Sequence, residues 1–274
     1  MEKLQLKVFN VGHGLSIMFR ELPEEYITLI DLGADNQTSP LEYLRERKLK
    51  ADQIFITHPH GDHISEIEKL LIPCYRPNGF NIQEYDWDDV VNREQDYLKE
   101  KVRTIKKVKA VIPNKSYSGN ASFDFWRYKP EDARENFGES NYINNTSIGG
   151  IFTWKHFKIA ILGDLETDAL NAFCKFDEFV SLAKNTDIFI APHHGHESVF
   201  PELWVEKIVK PYITIASIKE SDPHICKKYN SSDFNKGLKI NDEMRYCLTT
   251  RSDGTITVDM YYSNNEPKWK FSFE

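Results

Sequence analysis

The chain has 274 residues, and 35 Lys and Arg against 42 Asp and Glu give it a formal charge of −7 at neutral pH. A hydrophobic fraction of 40% with 28% charged residues is typical of a globular protein and excludes a disordered or fibrous chain. No apolar run approaches the ~18 residues of a membrane span, and the acidic balance argues against a broad phosphate-binding surface.

Short apolar segments separated by turn residues open the chain and predict strands. They cover residues 4–9, 15–19, 26–30 and 53–57. Ser39-Pro40 begins a predicted amphipathic helix, because serine caps helices and proline fits their first turn. A second helix is predicted after the fourth strand from the spacing of Ile64, Ile67, Leu70 and Leu71.

Residues 73–141 differ in character from both flanks and are predicted to be an insertion or lid on one domain that spans residues 1–274. A separate small domain is the alternative, which the absence of linker-like flanks disfavours. Residues 88–109 predict a helix and residues 108–112 a strand. The aromatic residues of this stretch could stack on bases, cover a site or pack on the core; they are Tyr85, Trp87, Tyr97, Phe123, Phe125 and Trp126.

The second half alternates strands and helices, which is typical of an α/β architecture. Strands are predicted at residues 159–162, 187–191 and 212–217. Helices are predicted up to about residue 176 and over residues 200–209.

One motif, Thr57-His58-Pro59-His60-Gly61-Asp62-His63, follows directly after an apolar strand. Imidazole nitrogens and carboxylates are the ligands that zinc, iron and manganese take. His58 and His60 alternate and can point at one ion, while Asp62 and His63 can face a second. The alternative is a surface loop that is rich in histidine by chance.

Two later strand ends carry the same kind of side chain. Asp164 follows Gly163 at the end of an apolar strand, where a carboxylate can reach two ions, and His193 ends the next strand. Ligands in open α/β sheets gather at strand ends, so we predict that both residues bind metal. Alone, Asp164 would suit a helix cap and His193 an ordinary loop.

These motifs resemble the metallo-β-lactamase fold superfamily, whose signature is HxHxDH, and more narrowly the hydrolase domain of the ComEC competence-protein group. The matching segments are residues 9–14, 29–33, 57–63, 144–147, 161–164 and 192–195. The resemblance implies a mixed α/β fold, a four-layer αββα sandwich. The inserted, lid-like segment lies largely outside the match.

The resemblance also implies two divalent metal ions, with zinc expected and manganese possible. It places His58 and His60 on the first ion, Asp62, His63 and His193 on the second, and Asp164 between them. Asn145 stands where many members have a further histidine, so it is expected to be a weak ligand or a neighbour of the first ion.

Four further residues are candidates for supporting or catalytic roles. Asp31 ends a strand and is expected to orient a ligand histidine through its other ring nitrogen. His194 is expected to support a ligand or bond to the backbone. His224 matches a late histidine that the ComEC group places near the leaving group, and His13 lies in a glycine-flanked loop. The predicted catalytic residues are therefore Asp62, His224 and His13.

The predicted function is hydrolysis by a hydroxide bound to two metal ions, with a phosphodiester in a nucleic acid or nucleotide as the expected substrate. An amide, lactone or thioester hydrolase is the first alternative, and a non-catalytic metal-binding regulatory module is the second. No membrane partner is expected, and no protein partner is predicted. The four widely spaced cysteines and an opening segment without signal-peptide features predict a reduced, cytoplasmic protein.

Overall fold

Two six-stranded sheets stand at the centre of the computed structural model, which describes residues 2–35, 37–69, 85, 89 and 119–274. Strands β1 to β4 come from the first quarter of the chain, and they are Lys3–Val8, Ile17–Leu22, Tyr26–Ile30 and Gln53–Phe55. They form the first sheet together with the last two strands, β13 (Ile256–Ser263) and β14 (Glu266–Phe273). The order is β14-β13-β1-β2-β3-β4, and only β3 and β4 run parallel.

The second sheet has the order β12-β9-β8-β7-β6-β5. Its strands in chain order are β5 Ala121–Trp126, β6 Gly149–Trp154, β7 Phe157–Ile161, β8 Ile188–Ile190, β9 Ile213–Ala216 and β12 Cys247–Thr249. Strands β7, β8, β9 and β12 are parallel, so their carboxyl ends share one edge. A separate hairpin joins β10 (Leu238–Ile240) to β11 (Glu243–Arg245).

Short helices cover the outer faces of both sheets. The α-helices are α1 Pro40–Glu46, α2 Pro130–Phe137, α3 Tyr142–Asn145, α4 Thr167–Phe173, α5 Asp177–Ala183, α6 Glu202–Lys207 and α7 Thr250–Asp253. Single 3₁₀ turns occupy Ile67–Lys69, His193–Gly195 and Lys227–Asn230. As predicted, Ser39 caps α1, because its side chain accepts a hydrogen bond from the backbone of Glu42.

Three apolar clusters divide the described part of the fold into four layers. One lies between the sheets, where Phe19 and Phe152 stack with ring centroids 3.7 Å apart. A second packs the outer face of the first sheet against α1 to α3, and a third packs the second sheet against α4 to α6. The predicted mixed α/β fold, with an αββα layer order, is therefore confirmed.

The structure also tests the individual predicted elements. All seven predicted strands with described residues are present, with ends shifted by up to three residues. The helix predicted after the fourth strand is reduced to one 3₁₀ turn among the described residues, and Leu70 and Leu71 lie outside them.

Part of the predicted insertion belongs to the sandwich. Strand β5 pairs with β6 over its whole length, and α2 packs on the first sheet through Ala133. The helix predicted at 88–109, apart from Asp89, and the strand predicted at 108–112 lie outside the described residues. The boundaries of the insertion stay a prediction.

Among the described residues, the helices are too short or too polar to span a lipid bilayer.

Candidate metal centre

Strand ends from both sheets bring the predicted ligands to one edge of the sandwich. The motif with His58 to His63 follows β4, Asp31 follows the parallel β3, and Asp164 follows β7 in the other sheet. Gly163 adopts a positive φ of 53°, and a Cβ there would lie 2.7 Å from Cβ of Ser147. Glycine thus allows the chain to turn where Asp164 must enter the site.

One group of metal-type donors comprises His58, His60 and Asp164, whose ligand atoms all lie within 4.8 Å of one another. Nε2 of His58 is 3.9 Å from Oδ2 of Asp164, and the rings of His58 and His60 lie 4.6 Å apart. His58 is fully buried, and its Nδ1 lies 3.1 Å from the hydroxyl of Thr57. When Nδ1 carries the proton toward that hydroxyl, Nε2 is left free to bind an ion.

A second group shares Asp164 and adds His63 and His194. Nε2 of His63 is 3.2 Å from Oδ1 of Asp164, and Nε2 of His194 is 3.4 Å from Oδ2 of the same carboxylate. Asp62 faces the same place, with its Oδ2 at 3.2 Å from His194 and 3.8 Å from His63. Asp164 is therefore a member of both donor groups, and its predicted position between two ions stays a prediction.

Buried donor atoms in this cluster have no hydrogen-bond partner among the described residues. They are Nε2 of His58, Nε2 of His63, both ring nitrogens of His194 and Oδ1 of Asp164. Buried polar atoms are normally satisfied, because an unsatisfied one costs about 1–3 kcal/mol. A bound cation would satisfy Nε2 of each histidine and Oδ1 of Asp164, so the donor set fits a divalent metal centre.

The charges of the cluster depend on one another. Burial alone would raise the pKa of Asp164, but His63 and His194 outweigh it and hold that pKa well below its usual range. Conversely, burial would lower the pKa of His194, but Asp164 and Asp62 raise it to about 9. His58 behaves differently, since burial and the neighbouring His63 push its pKa well below the ordinary value.

Asp31 contacts the ring nitrogen of His63 that is not directed at the donor cluster. Its Oδ2 lies 2.7 Å from Nδ1 of His63, and its two oxygens also accept hydrogen bonds from the backbone and hydroxyl of Thr57, at 2.7 and 2.8 Å. Asp31 is fully buried with a φ of +60°. This contact leaves Nε2 of His63 facing the cluster, and the orienting role of Asp31 stays a prediction.

The structure corrects the prediction for the Pro-His-His-Gly loop, because His194 and not His193 joins the donor cluster. Both residues have left-handed backbone, with φ of 46° and 56°, and Gly195 follows at 78°. The amide of His193 donates to the carbonyl oxygen of Gly163 at 3.0 Å. Because of these backbone angles, the imidazole of His193 points away from the donor cluster and that of His194 points into it. The prediction of His193 as a ligand assumed that it directly ends the strand.

His193 contacts Glu166, a residue that the sequence analysis missed. Nδ1 of His193 lies 3.1 Å from Oε1 of Glu166, which also accepts a hydrogen bond from Asn144 at 3.0 Å. Glu166 follows Asp164 by two residues, and that spacing in Gly-Asp-Leu-Glu was the available signal. Burial tends to raise the pKa of Glu166, but the contacts with His193 and Asn144 lower it.

Asn145 contacts the segment that leads into α4. Its Oδ1 accepts a hydrogen bond from the backbone of Glu166 at 3.0 Å, and the residue is almost fully buried. Asn145 thus holds the turn before α4, and its role as a weak ligand or a neighbour of the first ion stays a prediction.

A narrow cleft opens beside the cluster and is rich in imidazoles. Its lining residues are His13, His193, His194, His196, Ile218 and Asp222. Nε2 of His13 lies 3.7 Å from Oδ2 of Asp62, and its ring lies 4.7 Å from that of His194. Burial and the neighbouring His194 lower the pKa of His13.

His224 stands farther out, on the rim. Its Nδ1 lies 3.0 Å from Oε1 of the exposed Glu197, and its ring is 5.8 Å from that of His196. His196 in turn stacks 5.7 Å from His193. The structure does not bring His224 into the donor cluster, because two other imidazoles stand between them.

The fold and the site together define an αββα sandwich with clustered His and Asp donors at one edge, able to hold divalent cations. The model of the metallo-beta-lactamase superfamily matches residues 10–72, which include Asp31 and the whole motif from His58 to His63. This match supports the superfamily resemblance, and with the donor groups it implies divalent metal ions. A comparison with curated proteins gave no significant match.

Solved structures that are similar to the chain come from diverse proteins. The metallo-beta-lactamase fold protein YhfI from Bacillus subtilis has 15% identity and a TM-score of 0.48, over 86% of this chain and 94% of that one. Unliganded yeast PDE1 has 13% identity and a TM-score of 0.43, over 81% and 90%. CmlA, a diiron beta-hydroxylase from Streptomyces venezuelae, has 14% identity and a TM-score of 0.38, over 72% of this chain and 34% of that one.

Proposed function

We propose that the protein is a metal-dependent hydrolase that cleaves phosphodiesters in a nucleic acid or nucleotide. The observation that carries the proposal is the set of unsatisfied, buried donor atoms around Asp164, contributed by segments that follow three different strands. Divalent cations bound there would act as Lewis acids and lower the pKa of water toward neutrality. Zinc is the expected metal and manganese the alternative, since both accept imidazole and carboxylate ligands.

The cleft supports a phosphodiester substrate through its hydrogen-bonding groups. His13, His193 and His196 line it, and imidazole N–H groups donate to phosphate oxygens. The lining of the cleft combines these imidazoles with the carboxylate of Asp222. A narrow cleft suits one phosphate group better than a long strand, in keeping with the net charge of −7.

In this proposal the side chains around the site have separate roles. Asp31 and Thr57 fix the rings of His63 and His58, so that their Nε2 atoms stay directed at the cluster. Glu166 lies 3.1 Å from Nδ1 of His193, whose ring borders the cleft and is suited to contact the substrate. His224, held by Glu197 on the rim, is proposed to contact the leaving portion of a larger substrate.

The test is a substrate panel on protein loaded with Zn²⁺ or Mn²⁺. Bis-p-nitrophenyl phosphate, single-stranded DNA and RNA are compared with an amide, a lactone and a thioester. We expect turnover of at least one phosphodiester, with a fall of more than about 100-fold in kcat/KM for His58→Ala. His156→Ala is the matched control, because His156 is exposed and lies beside Tyr262, away from the cluster.

The alternatives are separate outcomes of the same panel. Turnover restricted to the amide, lactone or thioester would assign the other hydrolase class. Metal-loaded protein that is inert on every substrate would favour a non-catalytic metal-binding module and overturn the proposal. The narrower likeness to the ComEC competence-protein group is supported if DNA is the preferred substrate.

A further inference from the structure

His13 occupies a position from which it can bind the same ion as Asp62 and His194. The three residues form a donor group of their own, with all ligand atoms within 4.8 Å of one another. Two ligands of one ion with bonds of about 2.0–2.2 Å are separated by roughly 3.3–3.6 Å in tetrahedral geometry. In the structure, Oδ2 of Asp62 lies 3.2 Å from Nε2 of His194 and 3.7 Å from Nε2 of His13.

The loop that carries His13 is built to hold it there. Gly14 has a φ of +132°, and a Cβ on it would lie 2.4 Å from the carbonyl oxygen of Asp62, so only glycine allows this close approach. The carbonyl oxygen of Gly14 accepts a hydrogen bond from the buried Ser217 at 2.7 Å. The loop is therefore fixed both to the Asp62 segment and to the end of β9.

Among the described residues, the two donor groups around Asp164 differ in the number of potential metal ligands close to them. The group with His58 and His60 comprises two imidazoles and Asp164, and the oxygen of the nearby Asn145 accepts a hydrogen bond from the backbone of Glu166. The group with His63 and His194 already has Asp62 within 3.2 to 3.8 Å. His63 is fully buried, whereas His13 approaches the same carboxylate with half of its side chain exposed, from the solvent side.

We propose that His13 is a metal ligand, which adds a third imidazole to the ion held by Asp62, His63, His194 and Asp164. The ion is a divalent first-row cation, and this position binds it more tightly than the position at His58 and His60. The inference rests on the metal centre of the proposed function, but it requires no substrate to be turned over.

The test is a Co²⁺ titration of the metal-free full-length chain, followed by visible absorption and calorimetry. Wild type is expected to bind two Co²⁺ ions with different affinities. In His13→Ala the affinity of the tighter ion falls at least about tenfold, and its absorption changes because its ligand number changes. His196→Ala is the matched control, since His196 lines the same cleft but belongs to none of the donor groups.

A second variant reports coordination directly. His13→Cys is expected to add a thiolate-to-Co²⁺ charge-transfer band in the near ultraviolet that wild type lacks. An unchanged tight affinity in His13→Ala, or the absence of that band in His13→Cys, overturns the inference and leaves the proposed function standing. Failure of wild type to bind Co²⁺ at the cluster overturns both.

Discussion

Asp164 is the residue on which the two principal donor groups converge. It belongs to both, it is almost fully buried, and its amide is held by the hydroxyl of Ser147 at 3.0 Å. Its position after an apolar strand predicts a bridging role only together with the motif from His58 to His63 and the family resemblance. The partners that surround it were predictable only in part, because the orientation of each side chain depends on contacts between distant segments.

Replacement of His193 and replacement of His194 should have different effects on the metal content of the protein. His194→Ala removes a donor that lies within 3.4 Å of Asp62 and Asp164, so we expect metal content to fall to one ion or less. His193→Ala removes the contacts with Glu166 and His196 but no member of the donor groups, so two ions should stay bound while turnover falls. Elemental analysis of both variants after dialysis checks this. Loss of metal in His193→Ala with retention in His194→Ala would restore the assignment made from sequence.

A substitution at Asp31 tests whether a residue outside the donor groups increases metal affinity by orienting a ligand. Asp31→Asn keeps the size of the side chain but cannot accept equally from Thr57 and His63. We expect metal affinity to fall about 10–100-fold, measured by competition with a chromophoric chelator.

Asp52→Asn is the control for that measurement. Asp52 also bonds a backbone amide, that of Ile27, but at the far end of β3. Equal metal affinity in Asp31→Asn and wild type would show that the contact with His63 does not matter.

At the scale of secondary-structure elements, the short parallel strands and the site residues that follow them could be predicted from the sequence. The strands at 53–55, 157–161 and 188–190 are short apolar runs that lead straight into polar motifs, so both the strand and the following site residue are evident. The loop after β8 is different. Its three successive residues with positive φ depend on the contact between His193 and Gly163. No local preference predicts two left-handed histidines in succession.

The predicted elements lack several further strands, including the interior strands β6 and β13 and the edge strands β5 and β14. Strand β14 carries Trp269, Phe271 and Phe273 at alternate positions, a period-two pattern that predicts a half-buried strand. This signal was present but lies far from any motif. Strand β5 shows the same alternation and was assigned to an insertion because of its aromatic content.

Gly14→Ala tests the close packing between the His13 loop and the Asp62 loop. Both Gly14 and Gly138 have positive φ, but a Cβ on Gly14 meets backbone at 2.4 Å, whereas nothing lies within 4 Å at Gly138. We expect Gly14→Ala to lower the free energy of unfolding by about 1–3 kcal/mol more than Gly138→Ala. Urea denaturation of both variants measures the difference, and equal losses would contradict the packing described.

For the whole molecule, one partly buried carboxyl group away from the cluster, that of Asp187, contributes to the pH dependence of stability. Burial raises the pKa of Asp187 to about 6 from 3.8, although the backbone of Lys158 donates to it. The folded state then binds a proton more tightly than the unfolded state. This contribution is present below pH 4 and is lost as pH rises through 6.

Asp187→Asn removes that titration. From pH 5 to pH 7.5, wild type should lose about 1 kcal/mol of stability relative to Asp187→Asn. Chemical denaturation at the two pH values checks this, and a constant difference between the proteins would refute it.

The sandwich brings together donors that are more than 130 residues apart in sequence, from His58 to His194, around a carboxylate between them. Anomalous diffraction from crystals grown with Zn²⁺ or Mn²⁺ tests this most directly. We predict two peaks near Asp164, one about 2.0–2.2 Å from the donor atoms of His58 and His60 and the other from those of His63 and His194. Crystals that diffract well with no anomalous peak at these atoms, or with peaks only elsewhere, would contradict the account.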